Sequence, residues 1–277
     1  SKDFLALGFS QAQASKWNTW TQSPNGIILV TGPTGSGKTT TLYSTLRMLA
    51  TPEVNVCTVE EPIEMVEPAF NQMQVQHNIG LGFAEGIRTL MRQDPDIIMV
   101  GEIRDLETAE MTIQAALTGH LVLSTLHTND APSAVTRLLD LGVPSYLIHS
   151  TVLGIMAQRL VRTLCPNCKV PEPISQSDWN ALVGTFNIPK PDHIYRPVGC
   201  LECRNTGCRG RSGIYEMLSM TRGLRKLITP DTNLAQLKRQ AHLEGMQPLI
   251  INGAEKVAAG LTTIDELLKV APPLELE

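Results

Sequence analysis

Apolar and amphipathic stretches alternate from residue 26 to about residue 160. The apolar runs have the length of buried strands, and we predict four of them: residues 26–31, 55–60, 97–101 and 120–126. Between them, apolar residues recur at helical spacing in four segments: 38–49, 84–92, 106–118 and 131–140. Strands that alternate with helices in this way predict an α/β fold with a mainly parallel sheet, covered by helices on both faces.

The pattern changes at about residue 164, where Cys, Pro, Asn and Gly replace the apolar periods until about residue 213. Helical spacing then returns in four segments: 224–228, 234–244, 248–259 and 263–270. Thr263, followed three positions later by Glu266, fits a capping box at the start of the last segment. We therefore predict three parts: a core (1–163), a small subdomain (164–213) and a C-terminal helical subdomain (214–277).

The composition is that of an ordinary soluble globular protein, with 42% hydrophobic and 18% charged residues among 277. A formal net charge of -4 provides no general attraction for nucleic acid, so such binding would need a local basic patch. No apolar run approaches the roughly 18 to 20 residues that cross a bilayer, so we expect membrane association only through partners. The chain begins at Ser1 without Met, and we expect it to be a fragment of a longer protein.

Residues 32–39 fit the pattern of a phosphate-binding P-loop. They follow a predicted strand and precede a predicted helix, so the glycines can turn backbone N–H groups and a helix N-terminus toward a phosphate. Lys38 is expected to reach the β- and γ-phosphates of ATP, and Thr39 to place its hydroxyl on Mg²⁺. The alternative, a glycine-rich turn without a ligand, is disfavoured because strand, loop and helix agree. The predicted nucleotide-binding residues are Gly32, Pro33, Thr34, Gly35, Ser36, Gly37, Lys38, Thr39 and Thr40.

Glu102 follows the apolar strand predicted at residues 97–101, as the acidic residue of a Walker B element does. At the carboxyl end of a central strand, its carboxylate is placed to activate the attacking water or to bind Mg²⁺. A solvated carboxylate at the end of a strand is the alternative.

Two other predicted strands have candidate site residues at their ends, acidic on one strand and imidazole on the other. Glu60, Glu61 and Glu64 gather at the end of one, where their mutual repulsion favours a nearby cation. An exposed acidic turn is the alternative. His120 and His127 bracket another strand, where an imidazole can detect a γ-phosphate by hydrogen bonding. A structural role is the alternative for each histidine.

Four of the six cysteines form two Cys-x-x-Cys pairs, Cys165 with Cys168 and Cys200 with Cys203, separated by 31 residues. Two thiolates from each tight turn suit tetrahedral Zn²⁺, and a site with four protein ligands is structural rather than catalytic. A redox function and unrelated thiols are the alternatives. Cys208 lies close by in the sequence and is expected to be a bystander.

The P-loop, the acidic box, the Walker B segment Glu102-Ile103-Arg104-Asp105 and the histidine box, in this order, resemble the general secretory pathway protein E family. This family comprises the type II secretion ATPases and the related type IV pilus assembly ATPases. The resemblance implies a RecA-like P-loop NTPase core and a homo-hexamer that works in the cytoplasm, peripheral to a bacterial inner membrane. It also implies two partners, an inner-membrane platform protein and a cytoplasmic docking protein.

The function that the resemblance implies is Mg²⁺-dependent ATP hydrolysis that powers assembly of a type II secretion pseudopilus. Extension of a type IV pilus is the alternative. Retraction ATPases of the family generally lack the cysteine module, so an assembly motor is expected. The family's acidic box usually reads Glu-Asp-Pro, whereas Glu61 stands in place of the Asp here.

Ring ATPases of this kind need cationic groups delivered across a subunit boundary to the transferred phosphoryl group. By resemblance, the candidates are Arg88, Arg92 and Arg211. A surface salt bridge is the alternative for each of them.

Two rival functions stay open at this point. A RecA-like nucleic-acid motor shares the core chemistry but needs a basic groove with aromatic side chains, which 4% aromatic residues and a negative net charge disfavour. A regulatory scaffold without hydrolysis is disfavoured because Lys38 and Glu102 are both present. No nucleic-acid partner is therefore expected.

Overall fold

The computed structural model describes residues 4–274, which divide into two compact units. The first contains residues up to 157 together with 217–246, and the second contains 158–216 and the residues from 247 onward. No pattern in the sequence indicated that residues 217–246 belong with the first unit. The division into three parts, with boundaries after residues 163 and 213, stays a prediction.

The described elements alternate along the first half of the chain as the hydrophobic pattern predicts. The strands are β1 (Gly26–Thr31), β2 (Val56–Glu60), β3 (Phe70–Gln74), β4 (Ile97–Val100), β5 (Leu121–Leu126), β6 (Val152–Leu164), β7 (Val170–Glu172), β8 (Ile194–Arg196) and β9 (Cys208–Ser219). The helices of the first half are α1 (Gln11–Thr21), α2 (Lys38–Leu49), α3 (Phe83–Leu90), α4 (Leu106–Leu117), α5 (Ala131–Leu141) and α6 (Ser145–Thr151). Those of the second half are α7 (Gln176–Val183), α8 (Arg222–Leu227), α9 (Leu234–Leu243), α10 (Leu249–Ala258) and α11 (Ile264–Val270).

Seven strands form one sheet, in the order β3-β2-β4-β5-β1-β6-β9. The pairings from β3 to β6 are parallel, and Thr31 at the end of β1 lies opposite Leu126 at the end of β5. Every residue of β1, β2, β4 and β5 is buried, as expected for parallel strands covered on both faces. The predicted α/β fold with a mainly parallel sheet is therefore confirmed.

Tryptophans anchor helix α1 in the first unit. Trp17 is fully buried, and its Nε1 donates a hydrogen bond to Oγ1 of Thr45 on α2 at 3.1 Å. Trp20 lies against Gly154 of β6, where a Cβ atom would come within 2.2 Å of the indole ring. A glycine is therefore required at position 154 for α1 to pack closely.

The second unit has a small apolar core of its own. Helix α7 buries Trp179, whose Nε1 donates to the Ile188 carbonyl oxygen at 2.9 Å. This helix was not predicted, because its segment reads as polar and rich in Pro. Thr263 Oγ1 accepts from the Glu266 N–H at 3.1 Å, as in a capping box, while the Glu266 carboxylate pairs with Arg162 of β6.

None of the helices in residues 4–274 combines the length and the apolar character that spanning a bilayer requires.

Candidate active site

The loop between β1 and α2 has the backbone of a phosphate-binding loop. Gly35 and Gly37 have φ angles of 83° and 90°, a left-handed region that side chains rarely adopt, so glycine is needed for the loop to curl. Gly37 is the N-cap of α2, which begins at Lys38. The first N–H groups of any α-helix lack acceptors within the helix, and here they adjoin the loop.

Ser36 provides a separate sign that this loop takes a ligand. The residue is 4% exposed, and its Oγ is buried without a hydrogen-bond partner in the described structure. A buried hydroxyl that lacks a partner costs about 1–3 kcal/mol, and a phosphate oxygen is an acceptor suited to it. The loop residues therefore fit the phosphates of a nucleotide.

His127 connects the P-loop to Glu102. Its Nδ1 lies 3.0 Å from Nζ of Lys38, and its Nε2 lies 2.5 Å from Oε1 of Glu102. The carboxylate can only accept, so Nε2 donates to it, while Nδ1 lies close to both Nζ of Lys38 and, at 3.1 Å, the carbonyl oxygen of Gly32. Lys38 also donates to the carbonyl oxygen of Gly32. The His127 ring thus lies between the Glu102 carboxylate and the Lys38 ammonium group. The Glu102 side chain is 20% exposed.

The parallel register of the sheet explains why Lys38, Glu102 and His127 lie close together. Strands β1, β4 and β5 are neighbours, so their carboxyl ends lie at one edge. The N–H of Ile103 donates to the Thr125 carbonyl oxygen at 3.0 Å, which holds the segment after β4 against β5. Thr31 and Thr128 contact each other through their hydroxyls at 2.6 Å, which fixes the segment that carries His127 beside the end of β1.

Arg104 extends the chain of charges from Glu102 to the acidic box. Its Nε lies 3.3 Å from Oε2 of Glu102, and its Nη2 lies 2.6 Å from Oε2 of Glu61. The guanidinium carbon also lies 5.8 Å from the ring centroid of Phe83. Glu61 accepts a second contact from Nε2 of His77 at 2.9 Å. One arginine therefore holds the Walker B and acidic-box carboxylates together.

The other two carboxylates of the acidic box differ in exposure. Glu60 is 3% exposed and accepts hydrogen bonds from Tyr43, from Thr58 at 2.7 Å and from Gln72 at 3.3 Å. Burial, and then the hydrogen bond to Glu60, raise the pKa of Tyr43. These hydrogen bonds tie Glu60 to α2, β2 and β3, and its predicted part in catalysis stays a prediction. Glu64 is exposed.

The two predicted histidines, His120 and His127, lie at opposite ends of β5 and do not contact each other. His120 precedes β5, and the backbone hydrogen bond from Gly26 to its carbonyl oxygen places it beside the start of β1. His127 lies at the other end of β5, and seven residues of extended chain span roughly 23 Å. The His120 Nδ1 lies 2.8 Å from the Ala115 carbonyl oxygen, and that contact ties α4 to β5. The structure brings only His127 of this pair to the P-loop.

Among the described residues of the first unit, neither Arg88 nor Arg92 contacts the P-loop. Arg88 on α3 pairs with Glu85, three residues earlier on the same helix. Arg92 and Arg211 are exposed, in the turn after α3 and on β9 respectively. Exposure is compatible with action on a neighbouring subunit, and that role stays a prediction.

The four predicted cysteine ligands come together in the second unit, with their sulfurs all within 4.8 Å of one another. The Sγ distances are 3.8 Å for Cys165 to Cys200, 3.8 Å for Cys168 to Cys203 and 3.7 Å for Cys200 to Cys203. Four sulfurs at about 2.3 Å from one tetrahedral ion lie about 3.8 Å apart, so the spacing fits a metal. All six cysteines are free thiols.

Backbone N–H groups support the charged form of one ligand. Burial raises the pKa of the Cys203 thiol, but N–H donation from Cys200 and Gly207 outweighs that effect and holds the pKa at about 6. A thiolate is the form that binds a metal. These N–H groups therefore favour the metal-binding form of Cys203, whereas the pKa of the Cys168 thiol is raised, to about 11.

The sequence reasoning missed several residues of the site. Arg104 was noted only as part of the Walker B segment, and His77 and Tyr43 were not noted. The spacing of Arg104 two positions after Glu102 was the available signal, because side chains at that spacing in an extended segment leave on the same side. The fold and the site define a P-loop NTPase.

The chain belongs to the family described as Type II/IV secretion system protein, whose family model matches residues 1–269. It is 59% identical over 271 residues to the type IV pilus assembly ATPase TfpB of Acinetobacter baylyi, with coverage of 98% of this chain and 46% of that protein. It is 47% identical over 264 residues to the type II secretion system protein E of Pseudomonas aeruginosa, with coverage of 95% and 52%.

A solved structure of the pilus retraction motor PilT with bound ADP matches with a TM-score of 0.70 at 30% identity. The match covers 97% of this chain and 66% of that one. The predicted family is therefore confirmed. The chain spans about half the length of the curated relatives it matches.

Proposed function

We propose that this chain is the motor region of an ATPase that powers assembly of a type II secretion pseudopilus. The observation that carries the proposal is the contact of His127 with both Lys38 and Glu102, which joins a phosphate-binding loop to a carboxylate able to activate water. The membership of the family and the likeness to secretion and pilus ATPases support it.

Each residue of the site has a role in this proposal. Lys38, the P-loop N–H groups and Ser36 bind the phosphates, and His127 is placed to detect the γ-phosphate. Glu102 accepts the proton of the attacking water, and Arg104 holds that carboxylate in place. Thr39 would hold Mg²⁺, which would neutralise charge on the phosphates.

Extension of a type IV pilus is the second candidate function. The observation that favours it is the 59% identity to a type IV pilus assembly ATPase, compared with 47% to a type II secretion protein E. Both functions use the same chemistry and differ in the filament that is assembled.

The working form in this proposal is a homo-hexamer in the cytoplasm, peripheral to the inner membrane. It contacts the membrane through an inner-membrane platform protein and a cytoplasmic docking protein. Arg92 and Arg211 are exposed and Arg88 is half-buried, and these three arginines are the candidates for charge stabilisation at the site of the next subunit.

The cysteine cluster is proposed to hold a structural Zn²⁺ ion. Four thiolate ligands complete a tetrahedral shell and leave no position for substrate, so the ion stabilises its subdomain and takes no part in hydrolysis. The sulfur spacing of 3.7 and 3.8 Å supports this assignment.

ATP hydrolysis by the full-length purified protein tests the proposal. We expect release of phosphate that depends on Mg²⁺, that Lys38→Ala abolishes and that single-stranded DNA at physiological salt leaves unchanged. Strong stimulation by DNA would favour the nucleic-acid motor instead. Complementation of strains that lack either the secretion or the pilus assembly ATPase separates the two filaments, and restoration of neither would contradict both candidates.

A further inference from the structure

Helix α2, which the P-loop opens, also holds the acidic segment of residues 60–67. At one end of the segment, the Tyr43 hydroxyl donates its proton to the buried carboxylate of Glu60. At the other end, Nε of Arg47 donates to Oε2 of Glu67 at 2.8 Å. Tyr43 and Arg47 are four positions apart and therefore neighbours on one face of the helix. The guanidinium carbon of Arg47 lies 5.7 Å from the Tyr43 ring centroid, so the two side chains form one structural element.

Strand β3 completes the attachment of this segment. Nε2 of Gln72 donates to the Tyr43 hydroxyl at 2.9 Å and to the Met65 carbonyl oxygen at 2.9 Å. Oε1 of Gln74 accepts from the Ile63 N–H at 3.0 Å. These contacts fix the main chain on both sides of Glu64, whose own side chain is exposed.

The contacts of Tyr43 and Arg47 with the acidic segment both come from one helix, α2. Lys38 and Tyr43 belong to the same 12-residue helix, about 7.5 Å apart along its axis. A helix transmits displacement without bending over such a distance, so the P-loop end and the Tyr43 end move together. The acidic segment is thereby tied to the helix that binds the phosphates.

We propose that Tyr43 and Arg47 are positioning residues that hold Glu61 and Glu64 in register with Lys38 and Thr39. The inference rests on the proposed ATP hydrolysis and extends it to two residues outside the P-loop and the carboxylate motifs. They act on turnover by keeping the acidic side chains at a fixed distance from the phosphates, because a misplacement of about 1 Å can cost roughly 10²-fold in rate.

Steady-state hydrolysis by the full-length protein tests this role. Tyr43→Phe removes only the hydroxyl, and Arg47→Gln removes the charge of a side chain that is 39% exposed. We expect kcat to fall about 10-fold or more in Tyr43→Phe and about 3-fold in Arg47→Gln, while KM and the Kd of a non-hydrolysable ATP analogue stay within about twofold. Matched controls are Tyr146→Phe and Arg137→Gln, which change exposed residues of α6 and α5; both should keep the kcat of the wild type.

A charge exchange provides a second measurement that does not depend on the buried tyrosine. Arg47→Glu and Glu67→Arg should each lower kcat, and the two together should restore at least half of it. A wild-type kcat in Tyr43→Phe, or no restoration in the exchange, would overturn the positioning role. A parallel loss of analogue binding would also overturn it, since the P-loop itself would then be distorted. If the wild-type protein had no ATPase activity, the proposed function itself would be contradicted, and this inference would fail with it.

Discussion

Nε2 of His127 lies 2.5 Å from Oε1 of Glu102, while the other nitrogen of the same ring faces Nζ of Lys38 at 3.0 Å. The imidazole therefore senses both sides of the reaction that the site is proposed to carry out. A γ-phosphate that draws Lys38 toward itself would remove the contact of Nζ with Nδ1, and we expect the change to reach Glu102 through the ring. We expect this link to couple phosphate binding to the orientation of the carboxylate.

The two histidines should respond differently to substitution. His127→Ala removes the contact with Lys38 and Glu102, and we expect kcat to fall by about 10²-fold, because a positioned acid–base partner is lost. His120→Ala removes a contact with the Ala115 carbonyl oxygen at the far end of β5, and kcat should stay within about threefold of the wild type. Phosphate release at saturating ATP measures both. An equal loss in the two variants would contradict the placement of His127.

Arg104 should matter for turnover although it is neither a P-loop residue nor one of the carboxylates. Arg104→Gln frees the carboxylates of Glu102 and Glu61, and we expect kcat to fall about 10- to 10²-fold, which corresponds to roughly 1.4 to 2.7 kcal/mol of barrier. The control is Arg137→Gln, an exposed position on α5, which should leave kcat unchanged. Turnover of Arg104→Gln within twofold of the wild type would show that Glu102 does not need this arginine.

Glu266 should make the stability of the protein dependent on pH in the acid range. The hydrogen bonds from Arg162 lower its pKa from 4.5 to about 2. Because the folded pKa lies below the unfolded value, the stabilisation is fully present above about pH 4.5 and is lost as the pH falls through about 2. Since Arg162 is half exposed, we expect Glu266→Gln to lower the free energy of unfolding by about 2 kcal/mol at pH 7.

Urea unfolding at pH 7, 4 and 3 measures this effect, and the difference between variant and wild type should shrink at each step toward acid. Glu202→Gln is the control, because its pair with Arg209 is long, at 3.6 Å, and exposed on both sides. It should change the free energy of unfolding by less than about 0.5 kcal/mol at every pH. A Glu266→Gln difference that is constant with pH would mean that the ion pair is not its cause.

The cysteine cluster should bind close to one zinc ion per chain. Cys200→Ser removes one of the four ligands, so we expect the zinc content of the purified protein to fall well below the wild-type value, together with a lower melting temperature. Cys208→Ser alters a thiol outside the cluster and should keep the wild-type zinc content. Metal analysis by mass spectrometry decides the matter. Equal zinc in both variants would rule out the four-cysteine site.

Much of the first unit could be predicted because its strands are buried on both faces. Such strands are continuous apolar runs, which is why β1 and β5 were found almost to the residue. The motif residues that follow those strands could also be predicted to lie together, since the carboxyl ends of parallel strands share one edge of the sheet.

Other features could not be read from local patterns. Strand β6 carries the buried polar residues Gln158 and Arg159, so its 13 residues do not form a single apolar run. His120 and His127 looked equivalent because a strand separates them, and only the direction of the strand places one at the site. Spacing could have linked Arg104 to Glu102, but the contacts of Arg104 with Glu61 and of Tyr43 with Glu60 join positions that are distant in sequence, and no spacing rule connects those.

Glu102→Gln is the most direct test of the central claim that the carboxylate next to His127 activates water for ATP hydrolysis. The substitution keeps the shape of the side chain and removes its basicity, so the full-length protein should bind a fluorescent ATP analogue with the Kd of the wild type. Turnover should fall by about 10²- to 10⁴-fold. Undiminished phosphate release by this variant, with binding intact, would contradict the account.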